Sequence, residues 1–369
     1  MSNRLYFLDR LRVFLTFLLI LHHTAIAYGA SGSWIFIDAE EGTTVTNIML
    51  SLFTAINQAF FMGLFFFLSG YFVPRSYERK GTGKFLKDRF IRLGIPLLFY
   101  LFIIGPLIQY FLNVKHQMSL VEFYRSQILS FHQFFIGPLW FVEALLIFTI
   151  VYVLYKKIIK KPSKSLCFPT NRVLLGTAIL LGIAAFAIRL VFPVGTGILG
   201  LQFGYFPSYI LLFYIGIVAY RNDWIESITS EMLQIWKWIT LIAIPIFPIG
   251  LVFTGALSGP LKVNGGWNSQ AIIYAFWEPF VCIGLSILLI ELFKKKYNDM
   301  PNFIKWLSDN AFTVYILHPP VIVSWSILFH TLDIPAISKF VIVSLLSLVT
   351  TFAFAHVLRL IPYTRRVLG

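Results

Sequence analysis

An arginine and a histidine stand eleven residues apart in "FLDRLRVFLTFLLILHHTAIAYG" (7–29), a stretch otherwise apolar enough to lie in a bilayer. In a helix, eleven residues make three turns and roughly 20° more. Arg12 and His23 therefore share one stripe, about 16 Å apart along the axis, while His22 is turned away by roughly 80°. Imidazole titrates near neutrality and serves as a general base. Such a stripe can line a channel with a cation at its mouth and a base inside. It can equally be an anchoring arginine and a histidine satisfied by a neighbouring carbonyl or hydroxyl.

Other ionisable groups also fall within apolar stretches: Glu143, Arg189, Glu278, His318 and His356, besides His22. Each is costly in hydrocarbon unless it faces a cavity or a partner. Arg189, late in its stretch, and Glu278, early in its own, are expected to pair, the alternative being contact with an anionic or sugar acceptor. His22 and His356 read as packing residues. Trp140 and Glu143 open one stretch, Trp140 at the depth of an interfacial anchor and Glu143 facing inward or paired. Arg89 and Arg92 are one turn apart, so both can face one phosphate cluster. Lys84 and Lys87 beside them read first as solvated charges.

The elements that must position these residues are membrane spans. The chain of 369 residues is 58% hydrophobic and only 12% charged, where a soluble domain carries about 25% charged residues. Apolar stretches of about 20 residues recur from end to end. The expected fold is all-α, a polytopic helical membrane bundle of about ten spans: roughly 9–30, 47–73, 93–113, 138–156, 173–192, 206–220, 233–256, 271–293, 308–329 and 336–360. An outer-membrane barrel is excluded, because its strands are shorter and alternate in polarity. All but five of the 30 Lys and Arg (the five being Lys115, Arg125, Arg189, Lys262 and Lys339) fall on one face of this arrangement. The positive-inside rule then makes both termini cytoplasmic and explains the net charge of +14 without nucleic acid. His318, about nine residues into its span, reaches the same depth as His23. Asp38, Glu40 and Glu41 read as solvated charges of an external loop. Residues 1–369 form one domain, with no internal repeat, no cleavable leader, and no metal or disulfide spacing in Cys167 and Cys282.

Arg, ten residues, then His in a first span is similar to the signature of the membrane-bound acyltransferase-3 family. Four further stretches resemble that family in the same order: "FFFLSGYF" (65–72), "KDRFIRLGIP" (87–96), "GPLWFVEALL" (137–146) and "AFTVYILHPPVI" (311–322). Among its branches, "YFLDRLR", "SGYF" and "RLGIP" look closest in wording to the glucan succinyltransferases. No stretch resembles the extracytoplasmic esterase-like domain fused to some members.

The resemblance implies transfer of an acyl group, acetyl or succinyl, from cytoplasmic acyl-CoA to a hydroxyl of an extracytoplasmic glycan or another envelope acceptor. On that reading Arg12, Arg89 and Arg92 bind donor phosphates. His23 is catalytic, either deprotonating the acceptor or carrying the acyl group itself. His318 is a second catalytic or orienting group supported by Tyr315. Ser69, Trp140 and Glu143 would line the site or meet the acceptor; Ser69 and Gly70 also read as close-packing residues. Acyl-CoA is a co-substrate, with no resident cofactor and no metal. The competing class is a secondary transporter or flippase for a small anion or sugar precursor, which would normally show paired repeats with broken spans. The other membrane O-acyltransferase superfamily also uses an intramembrane histidine, but without the early Arg-to-His spacing.

Overall fold

A computed structural model describes residues 5–40, 42–112, 118–129, 136–159 and 165–368. Arg4, Glu41, Lys115 and the basic stretch 160–164 lie outside the described residues. Among the described residues nine helical stretches are long and apolar enough to cross a membrane. The helices are α1 (Tyr6–Ala27), α2 (Val45–Arg89), the short α3 (Ile95–Phe99), α4 (Gly105–Leu112) and α5 (Leu120–Phe123), then α6 (Trp140–Ile158), α7 (Asn171–Val191), α8 (Phe206–Arg221), α9 (Ser230–Phe253), α10 (Ser269–Lys296), α11 (Asn302–His330), α12 (Ala336–Leu360) and the terminal α13 (Thr364–Leu368). The protein is a multi-pass helical membrane bundle.

The difference between nine stretches and ten spans lies in Val45–Leu112, one helical run of 68 residues that contains both the second and third expected spans. The basic segment 74–92, which falls between those two expected spans, is helical. It is rich in helix-forming Arg, Lys and Glu. Gly81, at φ +70°, interrupts it; only glycine enters that left-handed region without a steric penalty. The break folds the segment back on itself, so that Lys80 and Asp88 pair at 2.6 Å. Eight residues of straight helix would hold them about 12 Å apart. Two π-helical turns, Phe90–Gly94 and Tyr100–Ile104, then carry the chain back across the bundle.

α1 and α11 pack on each other in the interior, with α12 beside them and α2 and α10 against α1. Exposed apolar residues such as Val151, Leu180, Val191 and Val349 face outward, as a lipid-facing surface requires. α2 packs closely on α8. A Cβ on Gly70 would lie 2.1 Å from the Phe213 carbonyl oxygen, and one on Gly216 would lie 2.2 Å from that of Phe67. The glycine of "SGYF" is therefore a contact between backbones. Gly70→Ala is expected to force α2 and α8 apart and cost about 1–3 kcal/mol, visible as a lower melting temperature in detergent. An unchanged melting temperature would contradict that contact.

Candidate active site

α1, α2 and α11 surround a cavity of about 440 Å³ at the end of the bundle where α1 and α11 begin. Leu8 near the start of α1 and Leu368 in α13 both line it, so both ends of the described chain lie on this side. Its walls carry Arg12, Arg79, Lys80, Arg89, Arg92 and Arg359 against only Asp88 and Asp309. Arg12 is oriented by two partners: it pairs with Asp9 at 2.9 Å and donates to Ser308 Oγ at 2.9 Å. Arg89 lies over the Phe85 ring at 5.2 Å. The three expected donor-binding arginines thus meet in one hollow. Lys84 and Lys87 do not line it and are exposed.

The inner end of the cavity is apolar, with Phe65, Leu68, Phe141, Leu145 and Tyr315, and includes the hydroxyls of Thr16 and Ser69. Tyr315 donates a hydrogen bond to the Pro138 carbonyl, which joins the two motifs around residues 137–146 and 311–322. Trp140 and Glu143 do not line the cavity; Phe141 and Leu145, from the neighbouring face of α6, do so instead. Trp140 stacks on Tyr209 at 5.5 Å, and Glu143 holds a buried carboxylate oxygen without a hydrogen-bond partner.

His23 and His318 come together beyond that inner end. Their rings are nearly parallel with centroids 5.2 Å apart, so the depth inferred from two distant segments is the same. Neither lines the cavity. His318 is one helical turn past Tyr315, the two rings 5.9 Å apart, and His23 lies seven residues past Thr16, about 10 Å along α1. His318 Nδ1 is 2.7 Å from the Tyr315 carbonyl oxygen. A carbonyl can only accept, so the proton sits on Nδ1 and Nε2 keeps its lone pair. That Nε2 and His23 Nδ1 are both buried without a hydrogen-bond partner. Buried polar atoms are nearly always satisfied, so unsatisfied nitrogens on two neighbouring rings are unusual; His22 Nδ1 is unsatisfied as well. His22 stacks on Phe61 at 5.1 Å and meets the His23 ring edge-on at 5.3 Å. His356 accepts from Trp306 Nε1 at 3.1 Å, a packing role as expected.

Sequence reasoning missed Trp34. Its indole stacks on His23 at 4.0 Å and lies nearly parallel to His318 at 6.0 Å. It belongs to the loop between α1 and α2, which is held down at several points. Asn47 Nδ2 donates to the Gly29 and Glu40 carbonyls at 2.8 and 3.1 Å, and the Asp38 amide donates to the Ala27 carbonyl at 2.8 Å. The Asp38 side chain is only 2% exposed and pairs with Lys339 at 2.9 Å and with His330. The solvated reading of Asp38 is therefore corrected: the loop folds onto the bundle and finds its partners at the turn between α11 and α12. Glu40 remains exposed.

Arg189 and Glu278 pair as expected. The guanidinium also donates to the Gly204 carbonyl at 3.0 Å and lies between the Tyr205 and Tyr274 rings, 5.0 and 4.8 Å away. This fully buried unit clamps α7 to α10, apart from the paired histidines.

The acyltransferase domain of the acyltransferase-3 family matches residues 5–356. The chain belongs to this family. Its class of chemistry is acyl transfer, and the paired imidazoles and every lining residue of the cationic hollow except Arg359 and Leu368 lie within the matched region. Over 97 residues the chain is 36% identical to glucans biosynthesis protein C of Escherichia coli K12 and 35% identical to the protein of that name from Shigella dysenteriae serotype 1. In both cases the match covers 26% of this chain and 24% of the relative, so it spans about a quarter of the length of these relatives. No solved structure matches significantly.

Proposed function

We propose that this membrane acyltransferase takes its acyl group from acyl-CoA on the cytoplasmic side and transfers it to a hydroxyl of an extracytoplasmic glycan. The observation that carries the reading is the order of groups along the bundle: guanidiniums at the mouth of the cavity, an apolar inner end, and beyond it two imidazoles with unsatisfied nitrogens. A polyanionic head with a narrow uncharged arm and a terminal thioester fits that order. Arg12, Arg89 and Arg92 hold the phosphates, and the arm runs between Phe65, Leu68 and Phe141. The acyl terminus must pass the Tyr315 ring to reach His23.

There the acceptor hydroxyl gives its proton to His23 and its oxygen attacks the thioester carbonyl. The C–S bond breaks, and the departing thiolate takes the proton from the imidazolium, leaving ester and thiol. His318 Nε2 orients the acceptor by accepting a hydrogen bond. Trp34 closes the opposite side of the two imidazoles, where an acceptor arriving from outside would meet them. Aromatic faces also suit sugar rings, which makes the indole a platform for a glycan.

Trp34→Ala is expected to lower the turnover number on the order of tenfold or more, through loss of ring placement. Donor affinity should not change, and Trp34→Phe should retain more activity than Ala. Equal turnover in all three proteins would remove Trp34 from the site. The function itself is tested by mass spectrometry of envelope glycans from cells with and without the protein. A glycan carrying acetyl or succinyl groups only when the protein is present would identify donor and acceptor together. Identical acylation in both would overturn the proposal.

A further inference from the structure

Beside the large cavity is a second hollow of about 230 Å³, lined by Lys80, Asp88, Ile91, Arg92, Arg365 and Arg366. The two hollows share Lys80, Asp88 and Arg92. Asp88 is already engaged by Lys80 at 2.6 Å. Among the described residues no ion pair within 4.0 Å joins Arg92, Arg365 or Arg366 to a carboxylate, and Asp88 is the one carboxylate set against Lys80 and three guanidiniums in the lining. They repel one another unless an anion sits between them.

The terminal arginines are held over the mouth by their backbone. Tyr363, with φ +70°, turns the chain sharply out of α12, a conformation unfavourable for a bulky residue. Thr364 Oγ1 donates to the Leu358 and Ile361 carbonyls at 2.6 and 2.8 Å, and Thr313 Oγ1 on α11 donates to the Leu368 carbonyl at 3.2 Å. Arg365 Nε donates to the Arg359 carbonyl at 3.0 Å. α13 is thereby docked across the opening, with Leu368 facing the inner cavity and Arg365 and Arg366 facing the outer one.

We infer that this outer hollow is a separate site for a phosphate monoester, formed by Arg92 with Arg365 and Arg366. The inference rests on the acyl-CoA reading above. That donor carries two phosphate groupings: a diphosphate leading into the thiol arm and a monoester on the ribose at its other end. With the diphosphate at Arg12, Arg89 and Arg92, the monoester falls outward, toward the hollow that Arg92 also lines. Planar guanidiniums bind phosphate oxygens in pairs, which suits a terminal monoester with three free oxygens. A lipid headgroup phosphate offers related chemistry at the same membrane face, and the test separates the two.

The full chain is placed in nanodiscs of phosphatidylcholine, and its affinities for CoA and for 3′-dephospho-CoA are compared. Wild type should prefer CoA by about tenfold or more, as expected for a charge-assisted contact. The Arg365→Ala/Arg366→Ala protein should bind both ligands with the affinity wild type shows for 3′-dephospho-CoA. The corresponding double Lys protein should fall between. Tight CoA binding without this preference in wild type, or a preference that survives in the Ala protein, would overturn the site and leave the donor reading standing. Loss of CoA affinity on adding phosphatidylglycerol, in wild type but not in the Ala protein, would assign the hollow to lipid and also overturn it. Failure of wild type to bind either ligand would overturn the donor reading together with the site.

Discussion

His23→Ala is expected to abolish acyl transfer while acyl-CoA still binds, and His22→Ala is expected to retain much of the activity. A general base contributes about 10²–10⁴-fold, so the first loss should stand far outside assay noise. The two histidines are adjacent in sequence and their rings meet edge-on, yet they face different partners. His23 stacks on Trp34 and faces His318, whereas His22 stacks on Phe61. Donor binding should survive because His23 is not a wall of the cationic cavity. Acyl-transfer rates and acyl-CoA affinity measured on the same purified variants separate the two effects. An inactive His22→Ala beside an active His23→Ala would contradict the site.

Arg89→Ala and Arg92→Ala should each raise the apparent KM for acyl-CoA by about 10- to 100-fold, the usual scale for losing a hydrogen bond to a charged group. The variants should remain folded in the membrane, since neither side chain belongs to the core. Lysine should rescue incompletely, because it offers a point charge and not a planar fork. Raising ionic strength should weaken donor binding in wild type more than in the double variant. Unchanged acyl-CoA affinity in the double variant would reduce both residues to markers of topology.

The stripe of Arg12 and His23 was legible because an α-helix has a fixed period. His318 was legible because charge asymmetry sets the direction of each span, and direction converts residue count into depth. The same reasoning does not reveal Trp34 or the seat of Asp38. Both lie in a loop, where no period relates neighbouring residues, and their partners His23, His318, His330 and Lys339 come from elsewhere in the chain. Arg79 and Arg359 join the cavity wall unannounced, for cytoplasmic segments are basic throughout and composition alone does not show which cations face a hollow. At "GPLWFVEALL" the motif drew attention to Trp140, whereas the rotation of α6 gives the cavity wall to Phe141. The segment 74–92 reads as a connection between spans because its charges end the apolar run, yet those same Arg, Lys and Glu residues favour helix, and the chain stays helical on both sides of Gly81.

The central claim, that donor and acceptor are served from opposite faces by one intramembrane base, is tested most directly in sealed proteoliposomes of fixed orientation. Labelled acyl-CoA is supplied only at the face carrying the arginines, and a glycan acceptor only at the face carrying the Asp38–Lys339 pair. The account predicts that label reaches the glycan in this arrangement, is absent when the two substrates are exchanged between faces, and is lost in His23→Ala. Equal labelling in both arrangements, or labelling undiminished by His23→Ala, would contradict it.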